Sequence, residues 1–174
     1  MGNKILEAAR CAHYFHEGQV RNTNDEPYYF HCARVAAIAS SFADSTEEMV
    51  IAAWLHDTLE DTRLTMSELS ERFGQAVCGY VQDLTNKYTK SVYPELNRTQ
   101  RKLLEFKRLG NCSNEVKFLK LCDRLDNVSD IESLKQKKYY IEETYLLLSQ
   151  IGDVCAYLTN EILSKLEEAE NEIT

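Results

Sequence analysis

Chain breakers are scarce here: the 174 residues include only 6 Gly and 2 Pro, so helices should dominate. Long apolar runs are missing too. No stretch approaches the ~20 apolar residues of a membrane span, which argues against a membrane protein. The opening residues, MGNKILEAARCAHYFHEG, carry charges inside their apolar run and so do not read as a secretory signal. Gly2 does not fit a myristoylation signal, because position 6 is Leu rather than Ser or Thr. The six cysteines, Cys11, Cys32, Cys78, Cys112, Cys122 and Cys155, form no C-x-x-C pair. They read as reduced thiols of a cytoplasmic protein rather than as zinc ligands or disulfides. An excess of positive charge is absent as well, since the net charge is −8. Gripping a phosphate backbone needs clustered Lys and Arg, so nucleic acid is not expected as a partner; a local basic patch could still hold a small anion.

What is present is ordinary globular composition, 44% hydrophobic and 28% charged, over a length that suits a single domain, 1–174, with one core. Residues 4–16 place Ile5, Ala8, Ala9, Ala12 and Phe15 at helical spacing. Residues 17–27 have turn chemistry, and Pro27 suits the first turn of a helix continuing over 28–42. Asp44 and Ser45 are N-cap candidates for a helix over about 46–58. Thr65 and Glu68 form a capping-box pattern that opens a short helix ended by Gly74. Further helices are expected over about 75–86, 95–109 and 113–128, and a long one over about 138–169. The expected fold is an all-α bundle.

Three segments carry chemistry. In the first, the apolar run Val50–Leu55 leads into His56-Asp57-Thr58-Leu59-Glu60-Asp61-Thr62. On one continuing helix, at about 100° per residue, His56, Asp57, Glu60 and Asp61 would share an arc of roughly 140°. Three carboxylates so close repel unless a cation or a shared proton relieves them. Solvated acids at a helix end would be the plain alternative, but acids at a C-terminus oppose the helix dipole. In the second segment, Asp123 follows the apolar Phe118–Cys122 region, with Asn127 one turn further on; a surface pair of Asp123 with Arg124 is an equal reading. The third is His31 beside Tyr28, Tyr29 and Phe30, where a core histidine is the ordinary expectation. Together the segments offer two imidazoles and at least two carboxylates, a mixed nitrogen and oxygen set that suits a divalent metal with open positions. Structural zinc would favour cysteine.

The order His31, His56-Asp57, Asp123 resembles the H…HD…D pattern of the HD phosphohydrolase superfamily. The flanks are similar to the RelA/SpoT-type (p)ppGpp hydrolase domain and to single-domain small alarmone hydrolases. These flanks are His16-Glu-Gly-Gln-Val-Arg21, Glu26-Pro-Tyr-Tyr-Phe-His31, Leu55-His-Asp-Thr-Leu-Glu-Asp-Thr62, Phe73-Gly74, Arg101-Lys-Leu, and Lys120-Leu-Cys-Asp-Arg-Leu-Asp-Asn127. The match covers about residues 5–131. The resemblance implies an HD-type helical bundle in which His31, His56, Asp57 and Asp123 hold one divalent ion, usually Mn2+. It implies that Glu60 and Asp61 orient the attacking water and handle protons. Arg21 and Asn127 match substrate-contacting positions, and Lys87 and Lys120 would lie near the phosphates. The implied substrate is a small nucleotide, hydrolysed at its 3′-pyrophosphate. The alternatives are another nucleotide or phosphorylated ribose, or a domain that only binds nucleotide. Four positions depart from the family pattern. Cys32 stands where Pro is usual, the 22–26 turn is one residue longer, and Asn22 and Ser129 replace residues that are commonly basic.

Overall fold

The computed structural model describes residues 3–21, 25–129 and 134–172. Among them are ten helices and no strand; a lone antiparallel bridge joins Val20 and Pro27. The all-α expectation therefore holds. The chain resolves into two compact units, Met1–Thr85 and Asn86–Thr174.

The first unit contains α1 (Lys4–Phe15), α2 (Tyr29–Ser40), α3 (Glu47–Leu55), α4 (Thr58–Asp61), α5 (Met66–Phe73) and α6 (Gln75–Leu84). Helix α3 is apolar on every side because it is surrounded: α1, α2 and α6 all pack on it. Its Ile51, Ala52, Ala53 and Leu55 are at most 1% exposed. Truncating Leu55 to Ala would cost about 2–5 kcal/mol, the usual range for a buried leucine. The cap that opens α3 is Thr46, whose hydroxyl accepts from the Met49 amide, rather than Asp44 or Ser45. Thr65 and Glu68 do form the reciprocal capping box that starts α5.

Helix α3 stops at Leu55 instead of running to 58. His56 and Asp57 form a short break before α4, and the buried hydroxyl of Thr58 donates to the Leu55 carbonyl at 2.6 Å across it. Local side-chain to backbone bonding of this kind competes with helix continuation and leaves no mark in the hydrophobic pattern. The break also alters the electrostatics. Glu60 and Asp61 lie in the first turn of a new helix, with Asp57 as its N-cap, where acids are favoured by the backbone dipoles.

The second unit contains α7 (Arg98–Gly110), α8 (Asn114–Ser129), α9 (Leu134–Ile151) and α10 (Ala156–Asn171). The single helix expected over 138–169 is two, separated at Gly152, whose φ of +71° is left-handed and ends α9. Helix α7 opens on a capping box of Asn97 with Gln100 and packs along α9. Gly110 is the last residue of α7. A Cβ there would lie 2.5 Å from the Gln150 carbonyl oxygen, so the close approach to α9 requires glycine.

Candidate active site

In the first unit, the 56–57 break and the start of α2 bring together three atoms that could ligate a metal ion. His56 Nε2 lies 3.1 Å from His31 Nε2 and 2.9 Å from Asp57 Oδ2, and His31 Nε2 lies 3.6 Å from the same carboxylate oxygen. Both imidazoles are buried, at 1% and 3% exposure. His56 Nδ1 sits 2.9 Å from the Ala53 carbonyl, which can only accept, so Nδ1 carries the proton and Nε2 presents a lone pair. A proton on His31 Nε2 could serve one of the other two atoms. A divalent cation serves all three at once. Two imidazole nitrogens and a carboxylate oxygen suit a borderline ion that keeps open positions for water and substrate.

A further layer fixes these groups. The Tyr28 hydroxyl donates to Asp57 Oδ2 at 2.6 Å, and the Tyr28 ring stacks on His16 at 4.9 Å. His16 Nδ1 donates to Gln19 Oε1 at 2.7 Å, and Gln19 Nε2 donates to the Asp61 carbonyl at 2.8 Å. Residues 16, 19 and 28 thus hold both the Asp57 carboxylate and the backbone under the acidic pair. Burial lowers the pKa of His16 and keeps the ring neutral. Sequence reasoning placed His16, Gln19 and Tyr28 inside matching motifs but gave them no role. The available signal was Tyr28 three residues before His31, which sets both rings on one side of the start of α2.

Glu60 and Asp61 follow directly and are exposed. The Asp61 carboxyl is pushed up to about 6, first by partial desolvation and then by the charges of Asp57 and Glu60. A carboxyl tuned toward neutrality can take and return a proton near physiological pH. Arg21 is buried, and its amide donates to the Glu26 carbonyl at 2.8 Å in the turn that precedes α2. Asn22 lies outside the described residues. Cys32 is fully buried in α2, directly after His31.

In the second unit, α8 presents Lys120, Asp123 and Asn127 on one face. Asp123 is 4% exposed; its Oδ2 accepts from Lys120 Nζ at 2.6 Å and its Oδ1 from Asn127 Nδ2 at 2.5 Å. This carboxylate is buried and oriented from both sides, which is how ligand carboxylates are held. Lys87 is exposed, and its amide donates to Glu105 Oε2 at 2.9 Å. Ser129 is exposed, with its hydroxyl turned back to the Leu125 carbonyl at 2.8 Å.

The HD domain family matches residues 8–150, which include every one of these side chains. The chain belongs to that family. A relative from Xenopus tropicalis, named guanosine-3′,5′-bis(diphosphate) 3′-pyrophosphohydrolase MESH1, is 38% identical over 130 residues, 74% of this chain and 69% of the relative. The human protein of the same name is 35% identical over the same shares of the two chains. A solved structure described as a metazoan ortholog of SpoT that hydrolyzes ppGpp superposes with a TM-score of 0.84. It covers 100% of this chain and 98% of its own at 24% identity, which shows the HD-domain helical fold. Of the residues that carried the sequence resemblance, His31, His56 and Asp57 converge.

Proposed function

We propose that this HD domain removes pyrophosphate from the 3′ position of (p)ppGpp, leaving GDP or GTP. The observation that carries the reading is the convergence of His31 Nε2, His56 Nε2 and Asp57 Oδ2 beside Glu60 and Asp61, in a chain 38% identical to a pyrophosphohydrolase of that specificity. Asp123 completes the ligand set, as the H…HD…D order and its buried, doubly bonded carboxylate support. His31, His56, Asp57 and Asp123 would hold one divalent ion, Mn2+. When bound, it supplies a Lewis acid that acidifies water and polarises a phosphoryl oxygen.

The chain's own groups do the rest. Glu60 and Asp61 orient the attacking water, and one of them takes its proton as the new O–P bond forms. The bond from phosphorus to the ribose 3′ oxygen breaks, and that oxygen receives a proton as the nucleoside diphosphate or triphosphate leaves. Arg21, Lys87, Lys120 and Asn127 bind the substrate, the cations at its phosphates, where fixed donors offset the developing negative charge. Lys120 meanwhile holds the Asp123 carboxylate in one orientation. Residues 1–174 act as one catalytic domain, working in the cytoplasm on a small nucleotide rather than on nucleic acid or at a membrane. Among the described residues no helix is long and apolar enough to cross a membrane.

The test is incubation with Mn2+ and ppGpp followed by ion-exchange separation. Equimolar GDP and pyrophosphate are expected. Intact ppGpp, with phosphate released from a nucleotide 2′- or 3′-monophosphate, would replace this reading with a general phosphohydrolase. The loss of basic residues at Asn22 and Ser129 is what favours that second reading.

A further inference from the structure

Helices α7, α8 and α9 of the second unit bring together two cations, Lys102 and Arg124, and among the described residues no carboxylate is hydrogen-bonded to either. Arg124, next to Asp123 on α8, is 4% exposed. A guanidinium carries five N–H donors, and burying it unpaired is costly. Here its Nε is buried without a partner, and Nη1 reaches only the Thr144 hydroxyl at 3.5 Å. Its charge instead stands over two rings, 5.9 Å from the centre of Phe106 and 5.2 Å from that of Tyr140. Lys102 on α7 stands over the same Phe106 ring, with Nζ 5.8 Å from its centre. Ring faces attenuate a positive charge but do not cancel it. The nearby Glu143 carboxylate is taken in a fork by Arg98, at 2.6 and 3.1 Å. Burial, and then the neighbouring cation of Lys120, push the Lys102 ammonium down to about 8. A core arranged for stability alone would place an apolar residue or a carboxylate here.

We propose that Lys102 and Arg124, both set against the Phe106 ring, form a hole for a phosphoryl group of the bound nucleotide, beside the Lys120–Asp123–Asn127 face. Lys102 is only half-buried and forms the open side through which the anion enters. Two hydrogen-bonding cations in a water-poor setting match a phosphate that carries up to two negative charges. That the phosphate belongs to the substrate rests on the function proposed above; that the hole binds an oxyanion does not.

The Mn2+-loaded protein is melted in sulfate and in chloride at matched ionic strength, as wild type, Lys102→Met and Lys102→Arg. The general stabilising effect of sulfate is common to all three, so only the difference is read. Wild type and Lys102→Arg are expected to gain several degrees more in sulfate than Lys102→Met does. In chloride, Lys102→Met is expected to melt no lower than wild type, because it removes an unbalanced charge. Its KM for ppGpp should rise at least tenfold, with kcat within about threefold. An equal sulfate gain in Lys102→Met overturns the proposal, and so does a Lys102→Met protein that melts lower in chloride or fails to fold. A sulfate difference as expected, in an enzyme that leaves ppGpp intact, keeps the hole and removes the proposed substrate.

Discussion

The two units carry opposite electrostatic deficits. In the first, lone pairs and carboxylates crowd together at His31, His56, Asp57, Glu60 and Asp61, and a cation would relieve them. In the second, Lys102 and Arg124 gather positive charge over Phe106, and an anion would relieve that. Neither arrangement is what a stable core would choose alone, since each gathers groups of one electrostatic character in one place. A metal ion and a polyphosphate are complementary to these two deficits. The net charge of −8 hides this, because it sums over a surface that takes no part.

The comparison is broken most severely by removing a ligand from the first unit. His56→Ala should lose its metal by elemental analysis and its turnover to background. Its melting temperature should also fall by about 5–10 °C, the stability a ligand near 100 times its Kd contributes in a chain of this size. Full metal occupancy in the variant would remove His56 from the ligand set.

Next come the acidic neighbours. Glu60→Gln and Asp61→Asn keep the shape and remove the base, so kcat should drop about 10²–10⁴-fold while metal content stays at the wild-type level. If Glu60→Gln strips the metal, Glu60 is a ligand rather than a proton carrier.

Tyr28→Phe deletes only the hydroxyl that orients Asp57 Oδ2. Outer partners of ligands typically contribute 10–100-fold in metal affinity, and a competition titration with a chelating dye should find a loss of that size. Unchanged affinity would make Tyr28 a packing residue only.

The smallest effect is on pH dependence. The Asp61 pKa is raised to about 6, so the metal-free protein gains stability from protonated Asp61 that is fully present below about pH 4 and is lost as pH rises through 6. Asp61→Asn removes this dependence. Its melting temperature without metal should match wild type at pH 4 and exceed it by no more than about 3 °C at pH 7.5, because an exposed carboxylate is screened by water. A variant that melts lower at pH 7.5 would reverse the sign.

Much of this site could be read from the sequence, and what could not has physical reasons. Val50–Leu55 announced a buried helix because every side of it is apolar, and Thr65 with Glu68 announced a cap because two reciprocal bonds need those residues at that spacing. The end of α3 was hidden. Helical periodicity continues through His56 and Asp57, and the interruption depends on a Thr58 hydroxyl bond with no periodic signature. The split between α9 and α10 did have a signal, Gly152, which was absorbed into a long amphipathic pattern. In the sequence Lys102 figures only inside the Arg101-Lys-Leu flank, with no role of its own. Only the fold shows that Arg124 and Phe106 meet it there.

Gly110 bears on how this protein could be disabled gently. Any side chain at that position would press on a backbone carbonyl of Gln150, which cannot swing aside as a side chain would. A genetic change to alanine would leave every metal ligand and both acids untouched and still weaken the seam between α7 and α9. Such an allele would be expected to work at low growth temperature and fail on warming, a conditional lesion that lies outside the chemistry of the site.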